Sequence, residues 1–242
     1  MSHTTAALYV CPKKDGKRIG PLVPYAGKDG QGRNLVGDVY FNFAMIEPMP
    51  WIVDLFAKAI MININVQQHE LAGVDAVIGI PDGGRTLGQA LANCMRRRFI
   101  YPLKVPRPKS KMATKEEFDL AFKRISIEKD MKVLVCDDVH NNFQNTDDVL
   151  DIVVNAGAVV VGLASGLNRS PKWDSHYVPQ KGALRGQEIP IVSAIRKKLD
   201  EFDQDDPAVA EDVQRGNIEP KVKENWNKLK ALMAEHGYQV IN

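Results

Sequence analysis

The chain of 242 residues carries 32 Lys and Arg against 30 Asp and Glu, a net charge of +2, so no electrostatic argument points to nucleic acid as a partner. Apolar residues at 44% and charged residues at 26% are ordinary globular values, which excludes disorder of the whole chain. The length suits one large α/β domain or a domain with an appendage, and no apolar run approaches the roughly 20 residues of a membrane span.

The opening MSHTTAALYV lacks the basic flank and apolar core of a secretion signal. The three cysteines, Cys11, Cys94 and Cys136, lack metal spacing and are too few for a disulfide framework. A soluble protein of a reducing, cytoplasmic compartment is expected, with no membrane partner. The first 37 residues, rich in Gly, Lys and Pro, predict irregular structure or short strands. From about Pro50 a helix is expected, with Trp51, Leu55, Ala59 and Ile62 on one face. Trp51 and Trp226 read as packing residues. DAVIGI (75–80) is a short continuous apolar run, as in a strand covered on both faces. The next helix places Leu87, Ala90, Leu91, Cys94 and Met95 on one face and ends in Arg96, Arg97 and Arg98, a solvated end that favours the helix dipole. A strand over 98–105 and a mobile basic loop over 106–124 follow, the latter with Arg107, Lys109 and Lys111 next to Lys104.

KVLVCDD (132–138) predicts another strand, Thr146–Asn155 a helix stopped by Gly157, and residues 158–168 and 189–195 further strands. Strand and helix alternating at this spacing predict βαβ units and a parallel sheet. Past residue 200 two helices are expected, with Pro207 and Pro220 at their first positions and Gly216 and Gly237 past their ends. The division is thus 1–199 for the α/β domain and 200–242 for a helical C-terminal extension.

In an open parallel sheet, ligands bind beyond the carboxyl ends of the strands. Two such ends carry chemistry. In GIPDGGRT (79–86), adjacent glycines permit close backbone approach, and amides at a helix start can ring an anion; a plain tight turn is the plainer reading. Asp137 and Asp138 can accept hydrogen bonds from a vicinal diol or stand behind a hydrated Mg²⁺ ion, or they can be a solvated strand end.

An apolar strand, Asp-Asp, a short polar loop and a helix start together resemble the diphosphate-sugar signature of the type I phosphoribosyltransferases. IPDGG (80–84) occupies the place of that family's pyrophosphate loop. Orotate phosphoribosyltransferases are the most similar members: DGKRIGPLVPYAG (15–27) resembles their N-terminal hood segment, and GLNRS (166–170) the strand end whose arginine meets orotate. The resemblance spans residues 10–196. It implies a parallel α/β sheet flanked by helices with a small N-terminal hood, and a glycosyltransferase of pyrimidine biosynthesis and nucleotide metabolism. The reaction implied is orotate plus phosphoribosyl pyrophosphate giving orotidine monophosphate and pyrophosphate, with Mg²⁺ as cofactor.

By the same resemblance the catalytic residues are Asp137, Asp138, Lys104 and Lys109, the basic loop closing over pyrophosphate in a homodimer. Substrate would be bound by Lys17, Arg18, Asp82, Gly83, Gly84, Arg85, His140, Asn141, Asn142, Phe143, Gln144, Asn145, Thr146 and Arg169. Mg²⁺ would be held through Asp137, Asp138 and the substrate rather than by a dedicated ligand set. The chain departs from the family where small hydroxyls and glycine usually surround the phosphate, placing Asn141, Asn142 and Phe143 there. Phenylalanine is not expected at a positive φ. Asp147 and Asp148 fall in the helix's first turn, where they suit the dipole but repel a phosphate. Two alternatives follow: a non-catalytic sensor of a nucleotide or phosphoribosyl pyrophosphate, and a transferase for another base.

Overall fold

The computed structural model describes residues 3–4, 7–66, 73–106, 118–123 and 125–240. It divides into two compact units, Met49–Lys197 and a second that joins Met1–Pro48 to Lys198–Asn242.

The larger unit is built on a six-stranded sheet. Its elements in chain order are α1 (Pro50–Val66), β1 (Ala76–Gly79), α2 (Gly83–Met95), β2 (Arg98–Ile100), β3 (Leu103–Pro106), β4 (Phe118–Ala121), β5 (Lys132–His140), α3 (Gln144–Asn155), β6 (Val159–Asn168), β7 (His176–Tyr177) and β8 (Ile189–Arg196). The sheet order is β7-β8-β6-β5-β1-β2. All its pairings are parallel except β7 with β8. This is the expected parallel α/β architecture. All of β1 is buried, and Val133 through Cys136 of β5 are fully buried, as a strand covered on both faces requires. One core cluster gathers Ile78, Val133, Val135, Val149, Leu150, Val153 and Leu163 under α3.

β1, α2 and β2 form one βαβ unit, and β5, α3 and β6 another. β1 and β5 lie side by side, while the chain leaves them toward opposite edges of the sheet. Such a topological switch opens a crevice beyond the carboxyl ends of the two strands. The two motifs singled out in the sequence follow those two ends.

Three local expectations change. In α1 the buried residues are Val53, Ala57, Ile60 and Ile64. Trp51, Leu55 and Ile62, expected inward, are 65%, 61% and 62% exposed. The helix is apolar nearly all round, so its periodicity offers two stripes; the one with alanine at its centre packs with α2 and β8. Trp51 is therefore not a core residue, whereas Trp226 is buried. The strand expected over 98–105 breaks after Ile100, where Pro102 lacks the N–H to continue pairing. The expected loop 106–124 begins and ends as an antiparallel hairpin of β3 and β4; Arg107, Lys109 and Lys111 lie outside the described residues. Helix α3 starts two residues earlier than expected, and Gly157 ends it at φ 91°.

In the smaller unit, antiparallel pairs join Leu8–Val10 to Val39–Phe41 and Val23–Lys28 to Asn34–Gly37. They share a core with the C-terminal residues, in which Tyr9, Val23 and Tyr25 pack with Trp226, Leu229 and Met233. Its α-helices among the described residues are α4 (Ala210–Gln214) and α5 (Trp226–Glu235). Gly216 and Gly237 follow them at positive φ, as expected. Pro207 and Pro220 head turns that precede the regular helices rather than their first turns. Among the described residues no helix is long and apolar enough to cross a membrane.

Candidate active site at the β1–β5 crevice

β5 pairs with β1 only as far as Cys136, but with β6 as far as His140. The acids therefore project where β1 has already given way to the 80–84 turn. Ile80 N–H donates to the Cys136 carbonyl (2.8 Å), the last tie between the two. Glycine is required beyond it by space. A Cβ on Gly84 would stand 2.5 Å from the Cys136 carbonyl oxygen and 2.8 Å from Asp137 Cα, and one on Gly83 would stand 2.5 Å from Asp138 Oδ2. The start of α2 thus lies directly on the two carboxylates. The first four N–H groups of a helix have no partner within it, so amides and acids share one small volume.

The Asp137 side chain is buried and accepts a hydrogen bond from Asp138 N–H (2.9 Å). Burial, reinforced by the neighbouring Asp138 carboxylate, holds its pKa well above the usual range. A buried anion beside another acid is stabilised by hydrogen-bond donors or cations. Among the described residues no group of three or more His, Cys, Asp and Glu side chains could cage a metal. Two carboxylates fit Mg²⁺, which takes one or two from protein and completes its octahedron with water and substrate phosphate oxygens.

Past the acids the loop has a distinctive construction. Phe143 adopts φ 59°, ψ 16°, the left-handed region that an L side chain enters at a cost of about 1–2 kcal/mol. The expectation that phenylalanine would not take a positive φ is overturned here, and packing is the reason. Its buried ring lies between His140 (4.6 Å between centroids) and Tyr177 (4.2 Å, planes 10° apart). Each ring pair contributes about 0.5–1.5 kcal/mol, which offsets the backbone cost. The Tyr177 hydroxyl donates to Asp147 Oδ1 at 2.6 Å. Asp147 is thereby turned toward the core, its pKa raised by burial, while Asp148 is exposed and 3.8 Å from Lys181.

Buried polar atoms collect around this strand end without partners among the described residues. They are both ring nitrogens of His140, the Asn141 amide, Thr146 Oγ1 and Ser165 Oγ, the last directly across from Asp137. Buried polar groups are normally hydrogen-bonded, so such a cluster marks a place for a polar ligand or water. Burial lowers the His140 pKa to about 3, which keeps the imidazole neutral. Asn142 accepts from Gln144 N–H (3.3 Å), and Gln144 and Asn145 are exposed at the start of α3.

The other anticipated residues are distributed as follows. Arg169 follows β6, largely buried, with its N–H donating to the His140 carbonyl (2.9 Å). Its loop is held by Arg196, which donates to the Asn168 and Ser170 carbonyls. Lys104 Nζ lies 2.9 Å from Asp82 Oδ2, and the Arg85 guanidinium lies 4.1 Å from the centre of the Tyr101 ring. Lys109 falls outside the described residues. Lys17 and Arg18 belong to the smaller unit, where Arg18 is paired with Asp38 (2.5 Å) and Asp212 (3.2 Å) and donates to the Ala208 carbonyl. Sequence reasoning missed Tyr177, Arg196 and Ser165. Only Ser165 had a signal, a hydroxyl inside an otherwise apolar strand; the other two act across the fold.

No family model matches the chain. A curated relative, the orotate phosphoribosyltransferase of Carboxydothermus hydrogenoformans, is 29% identical over 174 residues, covering 66% of this chain and 84% of that protein. In sequence the chain is similar to that orotate phosphoribosyltransferase over these 174 residues. Among solved structures, UMP synthase of Leishmania donovani aligns with TM-score 0.46 and 16% identity, over 88% of this chain but 39% of that one. Orotate phosphoribosyltransferase of Aeropyrum pernix aligns with TM-score 0.44 and 18% identity, over 73% and 88% of the two chains. Adenine phosphoribosyltransferase of Trypanosoma brucei, in complex with AMP, pyrophosphate and ribose-5-phosphate, aligns with TM-score 0.47 and 15% identity, over 73% and 75%. The crevice of β1 and β5, where the paired acids meet the start of α2, is the candidate active site.

Proposed function

We propose that the protein transfers the phosphoribosyl group of phosphoribosyl pyrophosphate to orotate, giving orotidine monophosphate and pyrophosphate. The observation that carries this reading is the contact of Asp137 and Asp138 with the Gly83–Gly84 helix start. The bond from the ribose anomeric carbon to the pyrophosphate oxygen breaks with its electron pair leaving on pyrophosphate. A bond from that carbon to a ring nitrogen of the base forms, and the proton of that nitrogen passes to solvent or to the departing pyrophosphate. Asp137 and Asp138 accept hydrogen bonds from the ribose diol and so fix the sugar. The amides at 82–85, with Arg85 and Lys104, stabilise the departing pyrophosphate, where negative charge develops. The 140–146 loop takes the 5-phosphate through Asn141, Thr146 and the α3 amides, and Arg169 pairs with the carboxylate of the base. Mg²⁺ held by the acids through water would add charge neutralisation on the pyrophosphate. The exposed stripe of Trp51, Leu55, Ile62 and Val66 on α1 supports a homodimer, since an apolar stripe of this kind suits coverage by a second subunit.

A second reading, a sensor that binds phosphoribosyl pyrophosphate or a nucleotide without turnover, is favoured by Phe143 at the loop apex and by the Asp82 carboxylate in the pyrophosphate turn. Transfer to another base is the third. Incubation with phosphoribosyl pyrophosphate, Mg²⁺ and a panel of pyrimidine and purine bases separates them. Orotidine monophosphate is expected; binding without product would favour the sensor, and product from another base would replace orotate. Arg169→Ala should weaken orotate far more than uracil, because the lost contact is charge-assisted. Equal losses for the two bases would remove orotate as the substrate.

A further inference from the structure

We propose that Tyr177 and Asp147 are positioning residues that hold the 140–146 loop in its anion-binding shape, an inference that rests on the reading of that loop as a 5-phosphate site. Phosphate loops usually rely on glycine where the chain turns left-handed. Here Phe143 occupies such a conformation, and its side chain is the handle by which the turn is held. Tyr177 meets that handle twice. Its ring stacks on Phe143, and its hydroxyl bonds Asp147, in the first turn of α3. Asp147 N–H in turn donates to the Phe143 carbonyl (2.9 Å). Apex, first turn and tyrosine therefore close a ring of contacts.

That ring is anchored outside the loop. Tyr177 lies in β7 and pairs with Ile189 of β8, and Trp173 packs edge-on against it with centroids 5.5 Å apart. The arrangement also disposes of the acid that would face an anion at the start of α3. Asp147 is directed at the tyrosine hydroxyl, and the backbone amides are left at the opening. Neither residue touches the proposed ligand; both act through Phe143 and the α3 backbone.

The test is calorimetric binding of two separate ligands, ribose 5-phosphate and pyrophosphate, to the full chain with Mg²⁺ present. The variants are Tyr177→Phe, Asp147→Ala and Asp147→Asn, each first shown by circular dichroism and thermal melting to be folded. Tyr177→Phe keeps the stack and loses the hydroxyl, and Asp147→Ala loses the acceptor. Both should weaken ribose 5-phosphate about five- to tenfold, the size typical of losing one intramolecular hydrogen bond. Pyrophosphate affinity should stay within about twofold, because its site is the 82–85 turn. Asp147→Asn keeps an acceptor and should restore ribose 5-phosphate binding. Wild-type binding with unchanged affinity in Tyr177→Phe and Asp147→Ala overturns the positioning role alone. Equal losses for both ligands overturn it too, as a general loss of structure. No ribose 5-phosphate binding by the wild type overturns the phosphate-site reading and the inference with it.

Discussion

His140 shows how a single side chain reports on the site. Its ring is buried in the aromatic stack, and burial brings its pKa from 6.5 to about 3. Between these values the unfolded chain binds the proton and the folded chain does not, so stability falls as pH drops through that window. The loss by pH 5 is about 2 kcal/mol. Asp137 and Asp147 work in the opposite sense. Their folded pKa values are raised, so the folded state gains protons first, and their cost is relieved as pH falls through those values. Comparison with His140→Phe, which keeps a ring in the stack, isolates the histidine. Urea unfolding at pH 7.5 and 5 should show the variant losing less stability than the wild type on acidification. Identical losses would mean that the imidazole is not held neutral.

At the scale of elements, the site depends on α2 resting on β5. Gly84→Ala would drive a Cβ into the Cys136 carbonyl and the Asp137 backbone, whereas Gly83→Ala meets only the Asp138 side chain. Overpacking against backbone typically costs about 1–3 kcal/mol, and a carboxylate can turn aside. Gly84→Ala should therefore lower the chemical-denaturation midpoint clearly. Gly83→Ala, which meets Asp138 side-chain atoms including its Cβ at 2.9 Å, should lower it less while weakening ribose-phosphate binding by displacing Asp138. The reverse order of stability would refute the packing assignment. The buried strands and the two motifs were legible at this scale, because a parallel strand needs a continuous apolar run and its carboxyl end is where polar residues gather. Phe143 was not. Its backbone conformation is decided by two rings, one of them on a strand at the far edge of the sheet, and no local pattern carries that information.

At the scale of the molecule, α1 leaves Trp51, Leu55, Ile62 and Val66 exposed. If this stripe is covered by a second copy, Leu55→Glu should convert a dimer into a monomer in sedimentation equilibrium at micromolar concentration, with helicity unchanged. A monomeric wild type would remove the homodimer. The two units of the fold also alter the organisation read along the chain. The boundary expected at 199/200 falls two residues from the junction at Lys197 and Lys198. The segment beyond it, read as an extension, shares a core with the opening residues. Arg18, read as a substrate contact, lies in that unit with Asp38 and Asp212 around its guanidinium.

Periodicity and strand-end chemistry in the sequence determined the parallel α/β sheet, the order of its elements and the acids and glycines of the crevice, because these follow from which residues can be buried locally and which cannot. Only the tertiary structure decided which stripe of α1 faces inward, how Phe143 sits at a positive φ, where Asp147 points and which elements share a core with the C-terminal helices. Each of these is set by partners brought together across the fold. A helix with two apolar stripes has no local preference between them, and a strained turn is stable only when distant side chains hold it.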